Sequence, residues 1–265
     1  MTELSMEDKK LRFLRNGKSI CALKPGDSPI RIGYGENSYK MERGSFTIRE
    51  TIYSDKPLSI RKITLAESTA EVIFTEGRAL ITADGNRLRV EFDGLSNYNR
   101  LWLTLPATAD EHVYGTGETF TEFDLRGHKA NVWVAEHQNA KMLSKKVAKV
   151  TFGIKNGTHK EKFENYETYY AQPTFLSSKR YYFHSFATAR SEFDFTNPGF
   201  HLIKTDCVEG FCIGFGDTFE QVLSDLTELV GRQPELPDWV YDGAILGLQG
   251  GTDIMMEKVE NCEKH

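Results

Sequence analysis

Proline is sparse in this sequence, cysteine is sparser, and cations do not outnumber anions; each shortage removes a class of protein. Only 8 of the 265 residues are proline and 4 are cysteine. Cys21, Cys207, Cys212 and Cys262 are too scattered for a disulfide framework. Neither a CxxC pair nor His-rich ligand spacing accompanies them, so no metal site is expected and the thiols read as buried or bystander groups. With 33 Lys+Arg against 38 Asp+Glu, a net charge of −5, the chain lacks the cation surplus that neutralises phosphates. Nucleic acid is therefore not an expected partner. No apolar run approaches the ~18 to 20 residues that span a bilayer, so no membrane span is expected. There is no Gly-x-x-x-x-Gly-Lys loop, and Gly214-Phe215-Gly216 sits in an antiparallel pattern, so no nucleotide or other cofactor is implied. Residues 1–10, MTELSMEDKK, carry early acids and no apolar h-region, which argues against a secretory leader and for the cytoplasm.

What is present is a globular composition, 39% hydrophobic, 12% aromatic and 27% charged, long enough for one large domain or two modest ones. From residue 46 to about 216 short alternating runs are separated by turn residues, the signature of strands. Phe46–Tyr53 alternates Phe46, Ile48 and Ile52 with polar neighbours. Ala79–Ala83 and Arg87–Phe92 flank Asp84-Gly85-Asn86, whose glycine supplies the positive φ of a tight hairpin. Ser59–Ala66, Leu101–Leu105, Asn131–Ala135, Arg180–Phe186, Ser191–Phe195 and Phe211–Phe215 continue the pattern. Asn156-Gly157-Thr158 reads as a hairpin turn rather than a glycosylation site, and Lys141–Lys162 as a solvated basic hairpin. The whole predicts a large antiparallel β-sandwich.

The period then changes. Asp217-Thr218 caps a predicted helix over about 218–230, in which Phe219, Val222, Leu223, Leu226, Leu229 and Val230 follow helical spacing and Gly231 ends it. Pro234 and Pro237 stiffen a connector. Asp238–Leu248 is an apolar run of the kind expected of a buried parallel strand. Gln249-Gly250-Gly251 turns, and Thr252–Lys264 reads as a helix with Thr252 as N-cap and Ile254, Met255, Val259 and Cys262 as its stripe. This strand-loop-helix unit is far short of the roughly 250 residues of a βα barrel, and is expected to open a domain that continues beyond residue 265.

Four ordered segments now bear on family. Gly231-Arg-Gln-Pro-Glu-Leu-Pro-Asp-Trp239 with Tyr241–Thr252 resembles the junction between sandwich and catalytic barrel in glycoside hydrolase family 31. Tyr114-Gly-Thr-Gly-Glu118, Phe123-Asp-Leu-Arg-Gly127 with Trp133 and Glu136, and Gln172–Ser177 before Tyr181-Tyr182 agree in order. The chain is similar to the sulfoquinovosidase and α-glucosidase-like branch of that family from about residue 110 onward. The resemblance implies a galactose mutarotase-like amino-terminal sandwich over 1–233 and the first βα unit of a (β/α)8 barrel over 234–265. It implies a retaining α-glycosidase acting on a carbohydrate substrate, with no cofactor and with the missing barrel as the sandwich's partner. The alternative is a free-standing, non-catalytic sandwich that binds carbohydrate or protein.

Retaining hydrolysis needs two carboxyl groups about 5 to 5.5 Å apart. The resemblance implies two aspartates from later barrel strands, outside these 265 residues, so this chain alone is expected to be inactive, with no catalytic residue. Gln249 is the single substrate-binding candidate. It stands at the C-terminal end of the expected first barrel strand, where its amide can exchange hydrogen bonds with sugar hydroxyls and where family members line the pocket. Tyr114–Glu118 reads as a turn bracing the barrel, with Glu118 held by an amide or arginine. Trp133 is expected in the core rather than as a sugar platform; Glu136-His137 only superficially suggests a catalytic pair; Arg126 and His128 read as structural, Arg126 through an ion pair.

Overall fold

In the computed structural model the described residues are 1–42, 45–118, 122–134, 170–243 and 247–264. They form two compact units, Met1–Leu229 and Val230–His265.

The first unit consists of antiparallel sheets. A three-stranded meander is made by β1 (Thr2–Glu7), β2 (Lys10–Arg15) and β3 (Lys18–Leu23). A six-stranded sheet runs in the order β12 (Lys129–Val132), β15 (Ser191–Asp194), β16 (Phe200–Thr205), β10 (Arg100–Pro106), β4 (Ile30–Glu42), β5 (Ser45–Leu58). An eight-stranded sheet runs β11 (Val113–Gly117), β13 (Ala171–Ser177), β14 (Tyr181–Ser185), β17 (Phe211–Phe215), β9 (Arg87–Asp93), β8 (Arg78–Asp84), β7 (Thr69–Phe74), β6 (Ile60–Ala66). The expected sandwich is present.

Strand periodicity produces the core directly, because alternate residues face the same side. Ala70, Val72 and Phe74 of β7, Ala79 and Ile81 of β8, and Leu88 and Val90 of β9 are buried while their neighbours face out. The six-stranded sheet contributes Ile30, Ile32, Leu101, Leu103, Phe193 and Ile203 to the same apolar cluster. Rings lock the sheets together: Phe193 lies 6.0 Å from Phe175 and 5.9 Å from Phe183, edge-on to both. The β8–β9 hairpin closes at the expected turn, with Asp84 opposite Arg87 and Gly85 at φ 58°.

Beyond the sandwich strands, α1 (Phe219–Val230) matches the expected helix. Thr218 caps it, its hydroxyl accepting the Gln221 N–H at 3.3 Å, while the Gln221 side chain accepts the Asp217 N–H at 2.8 Å. Val222 and Leu226 pack on Tyr182 and Cys212. Gly214 makes room there, since a Cβ would overlap the Tyr182 ring.

The second unit departs from expectation. Instead of opening a strand, Trp239–Asp242 forms a one-turn helix, α2. Its hydrogen bonds are local: the Val240 and Tyr241 N–H groups donate to Pro237 and Asp238 carbonyls at 3.0 and 2.9 Å. A parallel strand takes its backbone bonds from a neighbour, and among the described residues no strand follows Phe215. None of the described residues of Val240–Leu248 joins a sheet, and residues 244–246 lie outside the described set. The expected second helix is present as α3 (Thr252–Glu263), but its N-cap is Gly251 with no side-chain bond, so Thr252 is helical rather than the cap. Among the described residues no helix is long and apolar enough to cross a membrane.

Candidate functional site

Gln249 lies exposed in the turn that leads into α3. Its backbone carbonyl accepts a hydrogen bond from Lys258 Nζ at 3.2 Å. Gly250 and Gly251 follow at φ 130° and 84°. A Cβ on Gly250 would press on Ile254, so the turn itself demands glycine.

Tyr114–Glu118 is more than an ordinary turn. Gly115, Thr116 and Gly117 hold φ 115°, 66° and 112° in succession. The β11–β13 register shifts between Gly115 and Gly117, and a Cβ on Gly117 would overlap the Tyr170 carbonyl. Positive φ at a β-branched residue is strained. Thr116 is buried, and its hydroxyl has no hydrogen-bond partner. Glu118 is exposed, tied to the sheet through its N–H to the Tyr170 carbonyl at 2.8 Å.

A polar brace built on the buried Glu111, Ser177 and His201 adjoins this strand, Ser177 being the β13 partner of Val113. The Glu111 carboxylate accepts from Ser177 Oγ at 2.5 Å, Tyr181 OH at 2.6 Å, His201 Nε2 at 3.3 Å and the Thr108 N–H at 3.2 Å. Arg126 Nη1 lies 3.2 Å from His201 Nδ1. A guanidinium only donates, so Nδ1 accepts and Nε2 carries the proton given to Glu111. Burial pushes the Glu111 carboxyl up, but the bonds from His201, Ser177 and Tyr181 outweigh it and hold the group down at about 2. Arg126 makes no ion pair with a carboxylate among the described residues, contrary to expectation. It clamps the Thr108, Pro198 and Phe195 carbonyls at 3.0, 2.9 and 3.4 Å.

A second cluster gathers Glu50 of β5, Arg100 of β10 and Lys204 of β16 with Arg190 and Asp206, which flank β15 and β16. Arg100 Nε donates to Glu50 at 2.7 Å and lies 3.3 Å from Asp206, while its Nη2 donates to Asn37 at 2.9 Å. Lys204 also binds Glu50, and Arg190 Nη1 lies 3.5 Å from Asp206 and 3.9 Å from Glu50. Burial raises Glu50, yet Lys204 and Arg100 pull it below the usual carboxylate range. A general acid needs the opposite, a raised carboxyl pKa. The sequence reading missed both clusters. The one usable signal was His201, on the inward parity with Ile203 and Thr205 in β16; Glu111 lies in a loop with no pattern.

Trp133 is half-buried just past β12, with the Arg190 guanidinium carbon 4.9 Å from its ring centroid, so it packs against a cation rather than deep in the apolar core. His128 bonds through its backbone, its carbonyl accepting the Phe195 N–H at 2.9 Å. Ala135, Glu136, His137, Lys141–Lys162 and Asn156-Gly157-Thr158 lie outside the described residues. All four cysteines are free, only Cys212 is buried, and burial pushes Cys21, Cys207 and Cys212 up, away from thiolate chemistry. Among the described residues no cluster of His, Cys, Asp and Glu could hold a metal ion.

Comparison with known proteins places this architecture. No family model matches the sequence. The sulfoquinovosidase of Escherichia coli K12 is 35% identical over 246 residues, 88% of this chain and 35% of the relative. The sulfoquinovosidase of Agrobacterium fabrum is 37% identical over 246 residues, 91% of this chain and 36% of the relative. A GH31 sulfoquinovosidase from E. rectale, solved with an aza-sugar inhibitor, superposes with TM-score 0.81 at 29% identity, covering 98% of this chain and 39% of that one. The chain thus spans little more than a third of the length of the relatives it matches.

Proposed function

We propose, from the premise that this chain is a sulfoquinovosidase-like sequence of glycoside hydrolase family 31, that it is the amino-terminal portion of a retaining α-glycosidase. The observation that carries the reading is 35% and 37% identity sustained over about nine-tenths of the chain to two curated sulfoquinovosidases. An α-sulfoquinovoside is the favoured substrate class and an α-glucoside the alternative. In this reading residues 1–233 form the sandwich domain and 234–265 open the barrel, whose later strands supply the two carboxyl groups of the double displacement. In this reading the 265-residue chain contributes neither; Glu111 and Glu50 are held below the usual carboxylate range, the opposite of what a proton donor needs. Its own part in the chemistry is to support the barrel and to present Gln249 at the pocket, where the amide would hold a sugar substituent without moving a proton.

Two assays test this. The chain and a full-length protein containing it are offered aryl α-sulfoquinovoside and aryl α-glucoside, and the anomer of the first product is followed. The full-length protein should hydrolyse one of them with retention and the chain neither; turnover by the chain would overturn the division of labour. In the full-length protein Gln249→Ala should lower kcat/KM roughly 5- to 150-fold, the equivalent of about 1 to 3 kcal/mol for an unpaired polar group. Unchanged kinetics would return Gln249 to a turn residue.

A further inference from the structure

Helix α1 is apolar over a wider arc than the sandwich covers. With about 100° of turn per residue, its apolar side chains Phe219, Val222, Leu223, Leu226, Leu229 and Val230 fall within an arc of roughly 120°. One half of that arc is packed: Val222 and Leu226 are buried on Tyr182 and Cys212, with Leu229 against them. Beyond that half the helix is tied down by Asp225, which binds Arg87 and Tyr182. The other half stands open. Phe219, Leu223 and Val230, at i, i+4 and i+11, are 45%, 47% and 44% exposed. Single exposed apolar residues are ordinary on a protein surface, whereas a row of three along one helix flank marks a contact to be made.

We propose that this flank of α1 is a docking face for an apolar surface of the polypeptide that follows residue 265 in the full-length protein. The proposal rests on the reading of the chain as an amino-terminal portion and is independent of the reaction. That reading puts the greater part of the protein downstream, since the chain matches only 35% and 36% of two relatives, and joins it to the helix through residues 231–265. Three half-exposed side chains fall far short of the about 800 Å² per partner that a free-standing association buries. A tethered body needs no such area, because the linker sets its effective concentration at the face. Once the flank is covered, the whole apolar arc of α1 is removed from water.

The test compares maleimide labelling of Leu223→Cys in the 265-residue chain and in the full-length protein containing it, read site by site by peptide mass spectrometry. The introduced thiol should react about tenfold or more slowly in the full-length protein, where labelling waits on local opening. Ser224→Cys, on the polar side of α1, should react alike in both. As a second measure, Leu223→Gln should move the unfolding midpoint of the chain by about 1 °C at most and lower the sandwich transition of the full-length protein by roughly 4 °C or more. Equal labelling at position 223 in both proteins, or an equal fall of both midpoints, would overturn the proposal. Protection in the 265-residue chain that grows with its concentration would also overturn it, and would assign the face to a second copy. Hydrolysis of aryl α-sulfoquinovoside and aryl α-glucoside is followed on the same full-length sample, so that the glycosidase reading fails or stands separately: a protected flank in a protein that hydrolyses neither supports the docking face and discards the reaction.

Discussion

At the scale of single residues, the Glu111 brace is where charge and stability meet. A carboxyl held at about 2 in the fold and near its ordinary value when unfolded favours folding whenever it is ionised. The folded pKa is the depressed one, so the contribution is full above the ordinary carboxylate range and drains away as pH falls from about 5 towards 2. By linkage it is worth on the order of 3 kcal/mol at neutral pH. Urea unfolding followed from pH 7 to pH 3 should show a falling midpoint in the parent, and a lower but flatter profile in Glu111→Gln. Apart from the inward parity of His201, this was not legible in the sequence, because Glu111 sits in a loop and its side-chain donors, Ser177, Tyr181 and His201, come from strands 66 to 90 residues away. Gln249, by contrast, is proposed through resemblance alone, and its exposed position adds no local energetic signature to it.

Elements were legible where one periodicity dominated. β8 and β9, read from the sequence, bury Ala79 and Ile81 and Leu88 and Val90 at alternate positions, and α1 carries its cap and apolar stripe in adjacent residues. β4 was missed altogether; over its distal part Glu36, Asn37, Ser38 and Lys40 spread polarity over both faces, and beyond Gly33 the strand pairs only with β5. The run after Asp238 misled for another reason: a short apolar stretch suits a buried strand or a helix equally, and only neighbours decide. Docking of α1 gives a prediction at this scale. Asp225 accepts from Arg87 Nε and Tyr182 OH, both at 2.8 Å, while its carbonyl accepts from Arg87 Nη2 at 2.8 Å. Asp225→Ala leaves a buried phenol and a mostly buried guanidinium without their acceptor, and should cost about 2 to 4 kcal/mol in thermal unfolding. Amide exchange should quicken along α1 before it does so in β14 and β17.

For the whole molecule, the division at Leu229/Val230 predicts that the sandwich keeps its unfolding midpoint when the chain is shortened to Pro234. The second unit exposes Leu236, Trp239, Tyr241, Ile254, Met255 and Met256, an apolar surface that invites association. Light scattering should therefore show the 265-residue chain associating more than the shortened one, and equal monomeric behaviour would count against an unmet barrel surface. The sheet order carries a further consequence, one of timing. β10 pairs with β16 and β9 with β17, joining Leu103 to Ile203 and Val90 to Phe211. A ribosome making about 5 to 20 residues per second needs roughly 5 to 25 seconds to supply those partners. Until then the edges of β9 and β10, with Leu88, Val90, Leu101 and Leu103 on their inner faces, stand open to any passing strand. The nascent chain should thus be a client of holding chaperones until β16 and β17 emerge, and ribosome-bound intermediates arrested before Phe200 should aggregate on release where those arrested well beyond Phe215 fold.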